Sequence, residues 1–268
     1  MIQLMCSGNS AVFRGMLITA LSVRKHTRDP ITLHVLTMDL ADLNPVFRPI
    51  TGDQSALLEK VYREASPESR VIVHDLGDAY RKELIGSPNG KTRFTPYCFL
   101  RLFADEIPDL PDKVLYLDTD VVLNGDISEL YGLDISEYEL AGVPDYYGRW
   151  FFGRTYVNSG VILLNLARIR ETGLFRKAVL MCRDRRVFLP DQTALNSCAT
   201  AKLPLPMKYN EQHAMREDTL LRHFSVTFRF WPMIRIQSIK PWEIGKVHDV
   251  LRCFEFDDIL LKYAGMGF

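Results

Sequence analysis

The chain has 268 residues, 33 basic and 33 acidic, so its formal net charge at pH 7 is zero. This balance excludes a nucleic-acid-binding protein that depends on a basic surface, and no acidic tail is present. The length exceeds that of a usual single domain but fits one large α/β domain with excursions. With 47% hydrophobic residues, the chain can form a sizeable core.

The five cysteines are odd in number and widely spaced, without any CxxC pair, which favours reduced thiols over a disulfide framework or a zinc site. Met1 leads directly into the strand-like run Ile2–Cys6, without a basic leader or a cleavage site. No stretch approaches the length of a membrane span. We therefore expect a cytoplasmic protein, with any membrane contact peripheral and at the inner face.

In the first half of the chain, short apolar runs alternate with repeats of helical period. The predicted strands are Ile2–Cys6, Ile31–Leu36, Val71–Val73 and Lys113–Leu117; the predicted helices are Ala11–Arg24, a segment around Leu57, Leu58 and Val61, and Tyr97–Glu106, which ends before Pro108. This alternation predicts an α/β fold with a Rossmann-like, mostly parallel sheet and helices on both faces. Ligands of such sheets bind beyond the carboxyl ends of the strands.

The second half of the chain has a different rhythm. Strands are predicted at Glu139–Val143 and Val157–Asn165 and a helix at about Leu174–Arg185, whereas the proline-rich C-terminal third is predicted to be an irregular lid or subdomain. The loop Asp145–Phe152 is rich in aromatic residues. Such a loop either meets a ligand or contributes ordinary core side chains, and both interpretations stay open.

Asp118-Thr119-Asp120 follows the apolar run Val114–Leu117 and is followed by Val121–Leu123. Two carboxylates in a partly buried cleft repel each other unless a cation lies between them. Their hard oxygen ligands suit Mg²⁺ or Mn²⁺, which often complete their coordination shell with substrate phosphate oxygens. Aspartates that only cap a turn are the alternative, but the apolar flanks on both sides favour a metal site.

Four segments in order along the chain carry a resemblance to a known family: Lys113–Val121, Tyr156–Leu166, Asp191–Asn196, and His223 followed by Lys240-Pro241-Trp242. Together they resemble the retaining glycosyltransferases of family 8, which include bacterial lipopolysaccharide and lipooligosaccharide galactosyl- and glucosyltransferases and, more distantly, glycogenin. The resemblance covers most of the chain. It implies a GT-A fold, a UDP-glucose or UDP-galactose donor, a Mn²⁺ or Mg²⁺ ion and retention at the anomeric carbon.

The resemblance also implies roles for individual residues. Asp118 and Asp120 would hold the metal ion against the donor diphosphate, and His223 matches a third metal ligand, whose imidazole nitrogen would favour Mn²⁺. A cation there stabilises the negative charge that develops on the leaving diphosphate. A lone histidine would otherwise be interpreted as a structural residue.

Asp191 and Gln192 match the pair that lies against the transferred sugar, with the carboxylate holding hydroxyls and the amide oxygen facing the anomeric carbon. Because it follows Pro190, Asp191 could also be a helix N-cap, or serve both roles. Arg101 matches a donor-site arginine that takes phosphate or sugar oxygens in a fork. The other donor-site candidates are Ser7, Asn9, Thr119, Asn158, Ser159 and Lys240.

The chain departs from the family pattern at the expected base-binding position. Asn9 and Val12 stand where the family commonly has an aspartate and a tyrosine that hold the uracil ring. An amide can still pair with a pyrimidine edge, but the ring stack is lost unless Phe13 turns in. The identity of the base is therefore left more open than the metal site.

A second departure is the insertion Ser225–Ile239, which separates His223 from Lys240 where the family spacing is short. Within it, Phe228–Arg235 is aromatic and basic. This run could shape the acceptor site, touch a membrane that carries a lipid-linked glycan, or be buried against the core.

A double displacement needs a carboxylate nucleophile beneath the anomeric carbon. Gln192 occupies that place by resemblance, and an amide is a poor nucleophile. We therefore predict a front-face substitution, in which the acceptor hydroxyl attacks from the side that the diphosphate leaves. Asp191 as nucleophile is the rival.

The sequence thus predicts a metal-dependent retaining hexosyltransferase that acts on a glycan such as a cell-surface saccharide. We expect a nucleotide-binding half over about residues 1–120, and a half for the sugar and the acceptor, with the lid, over 121–268.

Two other classes of protein share part of this pattern. Haloacid dehalogenase-type phosphatases also have a DxD after an apolar strand, with Asp118 as nucleophile, Asp120 as acid and Asp257-Asp258 as a distal acidic pair. Their motif ends the first strand of the core, whereas about three strands precede it here. A catalytically inactive sugar-nucleotide-binding protein is the second alternative, which the altered base-binding residues favour and the intact Asp118, Asp120, Asp191 and His223 oppose.

Overall fold

The structure of the protein is a computed structural model that describes residues 1–90, 95–229 and 235–267. Its strands are β1 (Ile2–Ser7), β2 (Ile31–Thr37), β3 (Arg70–Asp75), β4 (Lys113–Leu117), β5 (Val121–Leu123), β6 (Leu140–Pro144), β7 (Val157–Asn165), β8 (Lys202–Pro204), β9 (Leu221–His223), β10 (Thr227–Arg229) and β11 (Arg235–Gln237). Seven of them form the central sheet in the order β3-β2-β1-β4-β7-β6-β8.

The strands of the central sheet run mostly in one direction. The pairs β1/β2, β2/β3, β1/β4 and β6/β8 are parallel, whereas β7 is antiparallel to both β4 and β6. The predicted mostly parallel sheet is therefore confirmed, with β7 as the strand that reverses. Because β1 and β4 are adjacent and parallel, Ser7 and Asp118 emerge at the same edge.

The helices are α1 (Phe13–His26), α2 (Gly52–Arg63), α3 (Gly77–Leu84), α4 (Ser128–Tyr131), α5 (Gly148–Phe151), α6 (Leu166–Thr172), α7 (Leu174–Asp184), α8 (Pro190–Cys198), α9 (Ile244–Asp249) and α10 (Asp257–Ala264), with 3-10 helices at Ser10–Val12, Pro96–Glu106 and Met207–Tyr209. The predicted helix over 97–106 is thus a 3-10 helix. Pro96 begins it, where the missing N–H of proline costs no hydrogen bond. Thr51 and Gln54 form a capping box that starts α2.

Two apolar clusters cover the two faces of the sheet. Side chains alternate along a strand, so Leu4 and Leu115 contact one cluster and Met5 and Tyr116 the other. The first cluster includes residues of α1, α2 and α10; the second includes residues of α7, α8 and the 3-10 helix Pro96–Glu106. Strands buried on both faces explain the continuous apolar runs of the sequence.

The C-terminal third consists of short elements. Strand β9 pairs with β5 in a separate two-stranded sheet, and α10 packs against α1. Residues 230–234 of the aromatic and basic insertion lie outside the described residues. None of the described helices is both long enough and apolar enough to cross a bilayer. The division of the chain into two halves stays a prediction.

Candidate functional site

Three side chains converge beyond the carboxyl end of β4. Asp118 and Asp120 lie in the turn between β4 and β5, and His223 is the last residue of β9, directly opposite Val121. Nε2 of His223 lies 3.2 Å from Oδ1 of Asp120 and 3.8 Å from Oδ2 of Asp118. One ligand atom from each residue lies within 4.8 Å of the others. The structure thus brings together the three predicted metal ligands.

The donor set and its spacing fit a divalent cation. Neighbouring ligands of an octahedral ion with bonds of about 2.1 Å are roughly 3 Å apart. The separations of 3.2 Å and 3.8 Å between Nε2 of His223 and the two aspartate oxygens are close to this value. Two carboxylate oxygens and an imidazole nitrogen suit Mn²⁺ better than Mg²⁺. Nδ1 of His223 is buried and has no hydrogen-bond partner among the described residues. The imidazole is therefore held by packing, with Nε2 turned toward the carboxylates.

Asp120 is also paired with a lysine. Lys240 Nζ contacts Oδ2 of Asp120, the oxygen on the far side from His223. Burial alone would raise the pKa of Asp120, but the charge of Lys240 and the contact with His223 outweigh burial and hold that pKa below its usual range. Burial would lower the pKa of Lys240, and Asp120 raises it instead. Both groups are therefore charged at neutral pH.

Arg101 lies beneath the metal ligands and is almost fully buried. Its Nη2 donates to Oδ1 of Asp118 at 2.8 Å, and its Nε lies 3.4 Å from Oδ2 of Asp191. Its Nη1 donates to the carbonyl of Ser159, and the guanidinium stacks 3.9 Å from the centre of the Tyr116 ring. Burial would lower the pKa of Arg101, but these anionic neighbours raise it. Arg101 thus ties together Asp118 and Asp191, which the sequence separates by more than seventy residues.

Ser7 supports the same arrangement from β1. Its hydroxyl lies 2.7 Å from the hydroxyl of Tyr116, which in turn donates to Oδ1 of Asp118 at 3.0 Å. With Arg101 and Tyr116 on Oδ1, the other oxygen of Asp118 is left to face His223. Ser7 therefore acts on the site through Tyr116.

Asp191 and Gln192 lie side by side at the start of α8 and contact Ser159 of β7. Oε1 of Gln192 accepts from the backbone N–H of Ser159 at 3.0 Å, and the Ser159 hydroxyl lies 3.4 Å from Oδ2 of Asp191. Burial raises the pKa of Asp191, and the charge of Arg101 opposes this. The structure therefore brings the two predicted catalytic residues to the edge that also carries Asp118.

The backbone just before α8 is strained. Leu189 has φ 50° and ψ 71°, in the left-handed region that costs a residue with a Cβ roughly 1–2 kcal/mol. Leu189 is the N-cap and Asp191 lies in the first turn, so the expectation that Asp191 is the N-cap is wrong. Pro190 occupies the first helical position, and the Asp191 carboxylate that follows it lies 3.4 Å from Nε of Arg101.

Sequence reasoning missed a fourth carboxylate in this cluster. Oδ2 of Asp145 accepts from Nδ2 of Asn158 at 2.9 Å and from Nε2 of Gln192 at 3.1 Å, while its Oδ1 accepts from the backbone N–H groups of Tyr147 and Gly148. Asp145 directly follows β6, at the same edge of the sheet as the candidate metal ligands. This position after a predicted strand was the feature of the sequence that could have indicated a site residue. The aromatic loop was considered only for its rings.

Asn158 is held on its other side as well. Its Oδ1 accepts from Nδ2 of Asn210 and from the backbone N–H of Gly160, each at 3.0 Å. Asn210 is fully buried, and no sequence pattern had singled it out. The amide of Asn158 is therefore fixed in one orientation by partners on three different segments.

Thr119, between the two aspartates, packs against helix α1. A Cβ on Gly15 would lie 2.0 Å from the Thr119 carbonyl oxygen and 2.7 Å from the Trp242 ring. Only glycine at this helix position allows the turn to approach so closely. The turn that carries both metal-ligand candidates is therefore seated on α1 by backbone contact.

Asn9, at the expected base-binding position, and Phe13, the ring that could turn in, are both engaged within the protein. Nδ2 of Asn9 donates to the carbonyl of Val46 at 3.1 Å, and Asn9 is buried. Phe13 is buried in the first apolar cluster. The Asn9 side chain thus hydrogen-bonds within the protein, to Tyr97 as well as to Val46, and Phe13 lies in the core.

The chain shares its fold with known glycosyltransferase structures. An active-site mutant of LgtC matches 99% of this chain and 96% of its own length with a TM-score of 0.72 at 18% identity. The glycosyltransferase GlyE of Streptococcus pneumoniae matches 99% of this chain and 64% of its own length with a TM-score of 0.67 at 20% identity. The predicted GT-A fold is confirmed.

Curated relatives match parts of the chain. Glycosyltransferase GlyA of Streptococcus pneumoniae is 36% identical over 116 residues, which cover 42% of this chain and 16% of GlyA. A lipopolysaccharide 1,3-galactosyltransferase of Salmonella typhimurium is 27% identical over 206 residues, which cover 69% of this chain and 60% of the relative. The chain thus spans less than two thirds of the length of these relatives. The model of glycosyl transferase family 8 matches residues 5–243, nearly the whole chain, and the chain belongs to this family.

Proposed function

We propose that the protein is a metal-dependent retaining glycosyltransferase that moves glucose or galactose from a UDP-sugar to a glycan acceptor such as a cell-surface saccharide. The observation that carries this proposal is the cluster of Asp118, Asp120 and His223 beside Asp191 and Gln192 at one edge of the sheet. Membership of glycosyl transferase family 8 supports it.

Asp118, Asp120 and His223 would hold Mn²⁺ or Mg²⁺. The ion, when bound, supplies Lewis-acid stabilisation of the charge on the leaving diphosphate. Arg101 and Tyr116 hold the Asp118 carboxylate in one orientation, so that the ligand is positioned before the donor binds. The charge of Lys240 keeps Asp120 ionised.

Lys240 would bind the donor diphosphate. Its ammonium group neutralises Asp120 in the structure, and its stem is only partly exposed. We propose that the ammonium turns from Asp120 to the phosphate oxygens when the donor enters. Thr119 and Asn9 would complete the nucleotide side of the site, and Ser7 and Arg101 act on it through Asp118.

Asn158, Ser159, Asp191 and Gln192 would contact the transferred sugar. Asp145 holds the amide N–H of Gln192, and Ser159 donates to its carbonyl oxygen, so the side chain has a single orientation. An amide held this way stabilises positive charge at the anomeric carbon but is a poor nucleophile. This arrangement supports a front-face substitution, in which the diphosphate accepts the proton of the acceptor hydroxyl. Trapping of a glycosyl group on Asp191, detected by mass spectrometry, would contradict the front-face mechanism and indicate a double displacement.

The haloacid dehalogenase-type phosphatase is opposed by the order of the strands. The Asp118 turn follows β4, and β4 lies between β1 and β7 in the sheet. Asp257 and Asp258 lie on α10, where Asp258 pairs with Lys25 at 2.7 Å and Asp257 with His248. The two aspartates of the distal acidic pair therefore have partners of their own.

An inactive sugar-nucleotide-binding protein is the second alternative, because Asn9 and Val12 depart from the family pattern. Release of UDP from UDP-glucose and UDP-galactose, measured with and without Mn²⁺, tests the proposal. Release that needs the metal and increases with a saccharide acceptor supports a transferase. Hydrolysis of an aryl phosphate with Mg²⁺ would indicate the phosphatase, and neither activity would indicate the binding protein. The cytoplasmic location stays a prediction.

A further inference from the structure

Two segments next to the candidate site expose large aromatic side chains. Trp150, Phe151 and Phe152 are 75%, 82% and 48% exposed, and Phe188 is 61% exposed. The rings of Phe152 and Phe188 stack with their centres 6.2 Å apart, so the two segments form one surface. We call these four residues the aromatic patch. A contiguous group of exposed rings is unusual on a protein surface unless a partner covers it.

Arginines lie next to the residues of the aromatic patch in the sequence. The segments 149–154 and 183–188 contain Arg149, Arg154, Arg183, Arg185 and Arg186 against one acidic residue, Asp184. Arg183 neutralises that carboxylate at 2.8 Å. Arg154, Arg185 and Arg186 are exposed and form no salt bridge with any residue that the structure describes. The patch thus combines exposed rings with uncompensated positive charge, although the whole chain has a formal charge of zero.

The aromatic patch is connected directly to the floor of the site. Phe188 precedes Leu189 and Pro190, which start the helix that carries Asp191. Helix α5 bears Trp150 and Phe151, and the N–H of its first residue, Gly148, donates to Asp145 at 2.6 Å. Whatever covers the patch is therefore brought close to the sugar end of the site.

We propose that the aromatic patch docks on the surface of an anionic lipid bilayer. Tryptophan and phenylalanine are favourable at the level of the headgroups, and arginines close by are attracted to anionic lipids. Charge complementarity thus selects a negatively charged, partly apolar partner surface. Docking in this orientation would turn the sugar end of the site toward the membrane. The proposal does not depend on the enzymatic activity.

Vesicle co-sedimentation tests the proposal directly. The full chain is mixed with vesicles of phosphatidylcholine alone or of phosphatidylcholine with phosphatidylglycerol, at low and high salt. We expect binding to the anionic vesicles that weakens with salt. The triple variant Trp150→Ser, Phe151→Ser, Phe188→Ser and the double variant Arg154→Glu, Arg186→Glu should each bind roughly 10-fold more weakly or worse.

The matched control carries Phe254→Ser and Leu261→Ser, two residues that are 52% and 65% exposed and lie outside the aromatic patch. It should bind anionic vesicles like the unmodified chain. Far-ultraviolet circular dichroism checks that each variant is folded, and the arginine variant serves if the triple variant is not.

Three results would overturn the proposal. The unmodified chain could ignore anionic vesicles, or both patch variants could bind them as well as the control does. The patch variants could also slow sugar transfer to a soluble acceptor while vesicle binding is unchanged. That last result would assign the patch to a saccharide or protein acceptor.

Discussion

Gly160 lies directly against the imidazole of His223. A Cβ on Gly160 would come within 2.1 Å of Cε1 and 2.6 Å of Nδ1 of that ring. The Gly160 carbonyl also accepts from the backbone N–H of Asp118 at 2.7 Å. One residue without a side chain therefore sets the position of two candidate metal ligands, which come from distant parts of the chain.

Replacing Gly160 with alanine should displace the His223 ring, because neither the β7 backbone nor the buried ring has room for a methyl group. We expect metal affinity to fall roughly 10- to 100-fold, as when the supports of a metal ligand are removed. Titration of the chain with Mn²⁺ measures this. Gly245→Ala is the matched control, since a Cβ there meets nothing within 4 Å. Equal Mn²⁺ affinity in both variants would contradict the role of the ring.

Asp120→Ala should abolish metal-dependent UDP release, because it removes a candidate ligand and leaves the half-buried Lys240 without its carboxylate partner. The measurement is UDP release from a UDP-sugar over a range of Mn²⁺ concentrations. Asp258→Ala serves as control, since this residue pairs with Lys25 on the surface. Full activity of Asp120→Ala would show that the metal assignment is wrong. Equal loss of UDP release in Asp258→Ala would show that the effect of Asp120→Ala is not specific to the metal site.

Asp145→Asn should impair catalysis although it preserves the shape of the side chain. Each carboxylate oxygen of Asp145 accepts hydrogen bonds from two N–H groups. In either orientation, the amide of the variant would therefore point its NH₂ group at N–H donors. Unpaired buried donors cost about 1–3 kcal/mol, and we expect kcat to fall roughly 10- to 100-fold as Gln192 loses its orientation. Asp134→Asn, at an exposed position, should have no effect. An unchanged kcat for Asp145→Asn would refute the positioning role.

Lys240→Ala should weaken donor binding more than it slows the chemical step. We expect the KM for the UDP-sugar to rise roughly 10-fold, the scale of one charge-assisted contact to a phosphate. Lys246→Ala is the matched control, because Lys246 is exposed and pairs with Glu243. A KM that stays constant in Lys240→Ala would place the diphosphate elsewhere.

His34 makes the fold sensitive to acid. Its Nδ1 lies 3.0 Å from Nε2 of His74 within the sheet, and burial, followed by the charges of His74 and Arg70, lowers the pKa of His34 from 6.5 to about 4. The unfolded chain therefore binds more protons than the folded chain between these pH values. The contribution of His34 to the stability of the fold is fully present above about pH 6.5 and is lost as the pH falls toward 4.

Urea unfolding between pH 4 and 8 measures this dependence. His34→Gln, which keeps a hydrogen-bonding side chain, should flatten the acid limb of the stability curve. An acid limb of unchanged steepness in that variant would assign the loss of stability to other groups.

The order of strands and helices could be predicted because apolar period is a local property of the sequence. The reversed direction of β7 could not, since Val157–Asn165 has the same continuous apolar pattern as a parallel strand buried on both faces. The 3-10 geometry of Pro96–Glu106 was equally hidden, because its apolar spacing also suits an α-helix. Local patterns thus predict where elements lie better than which way they run.

The residues of the candidate site also divide into those that a local pattern predicts and those that it does not. Asp118 and Asp120 are two residues apart in the sequence, and their pattern together with the apolar flanks indicated a metal site. Arg101 was expected to face the donor, yet the structure directs its N–H groups to Asp118, Asp191 and Ser159. Such a network depends on which segments meet in three dimensions, and Asp145 was missed for the same reason.

The pairing of β5 with β9 couples the chemistry of the site to strand register. His223 faces Val121 in this pairing, and Arg222 and Leu221 follow opposite Val122 and Leu123. Because side chains alternate along a strand, a slip by one residue would turn the imidazole away and offer Arg222 or Phe224 in its place. The three residue pairs of this small sheet therefore decide whether the cluster attracts a cation or repels one.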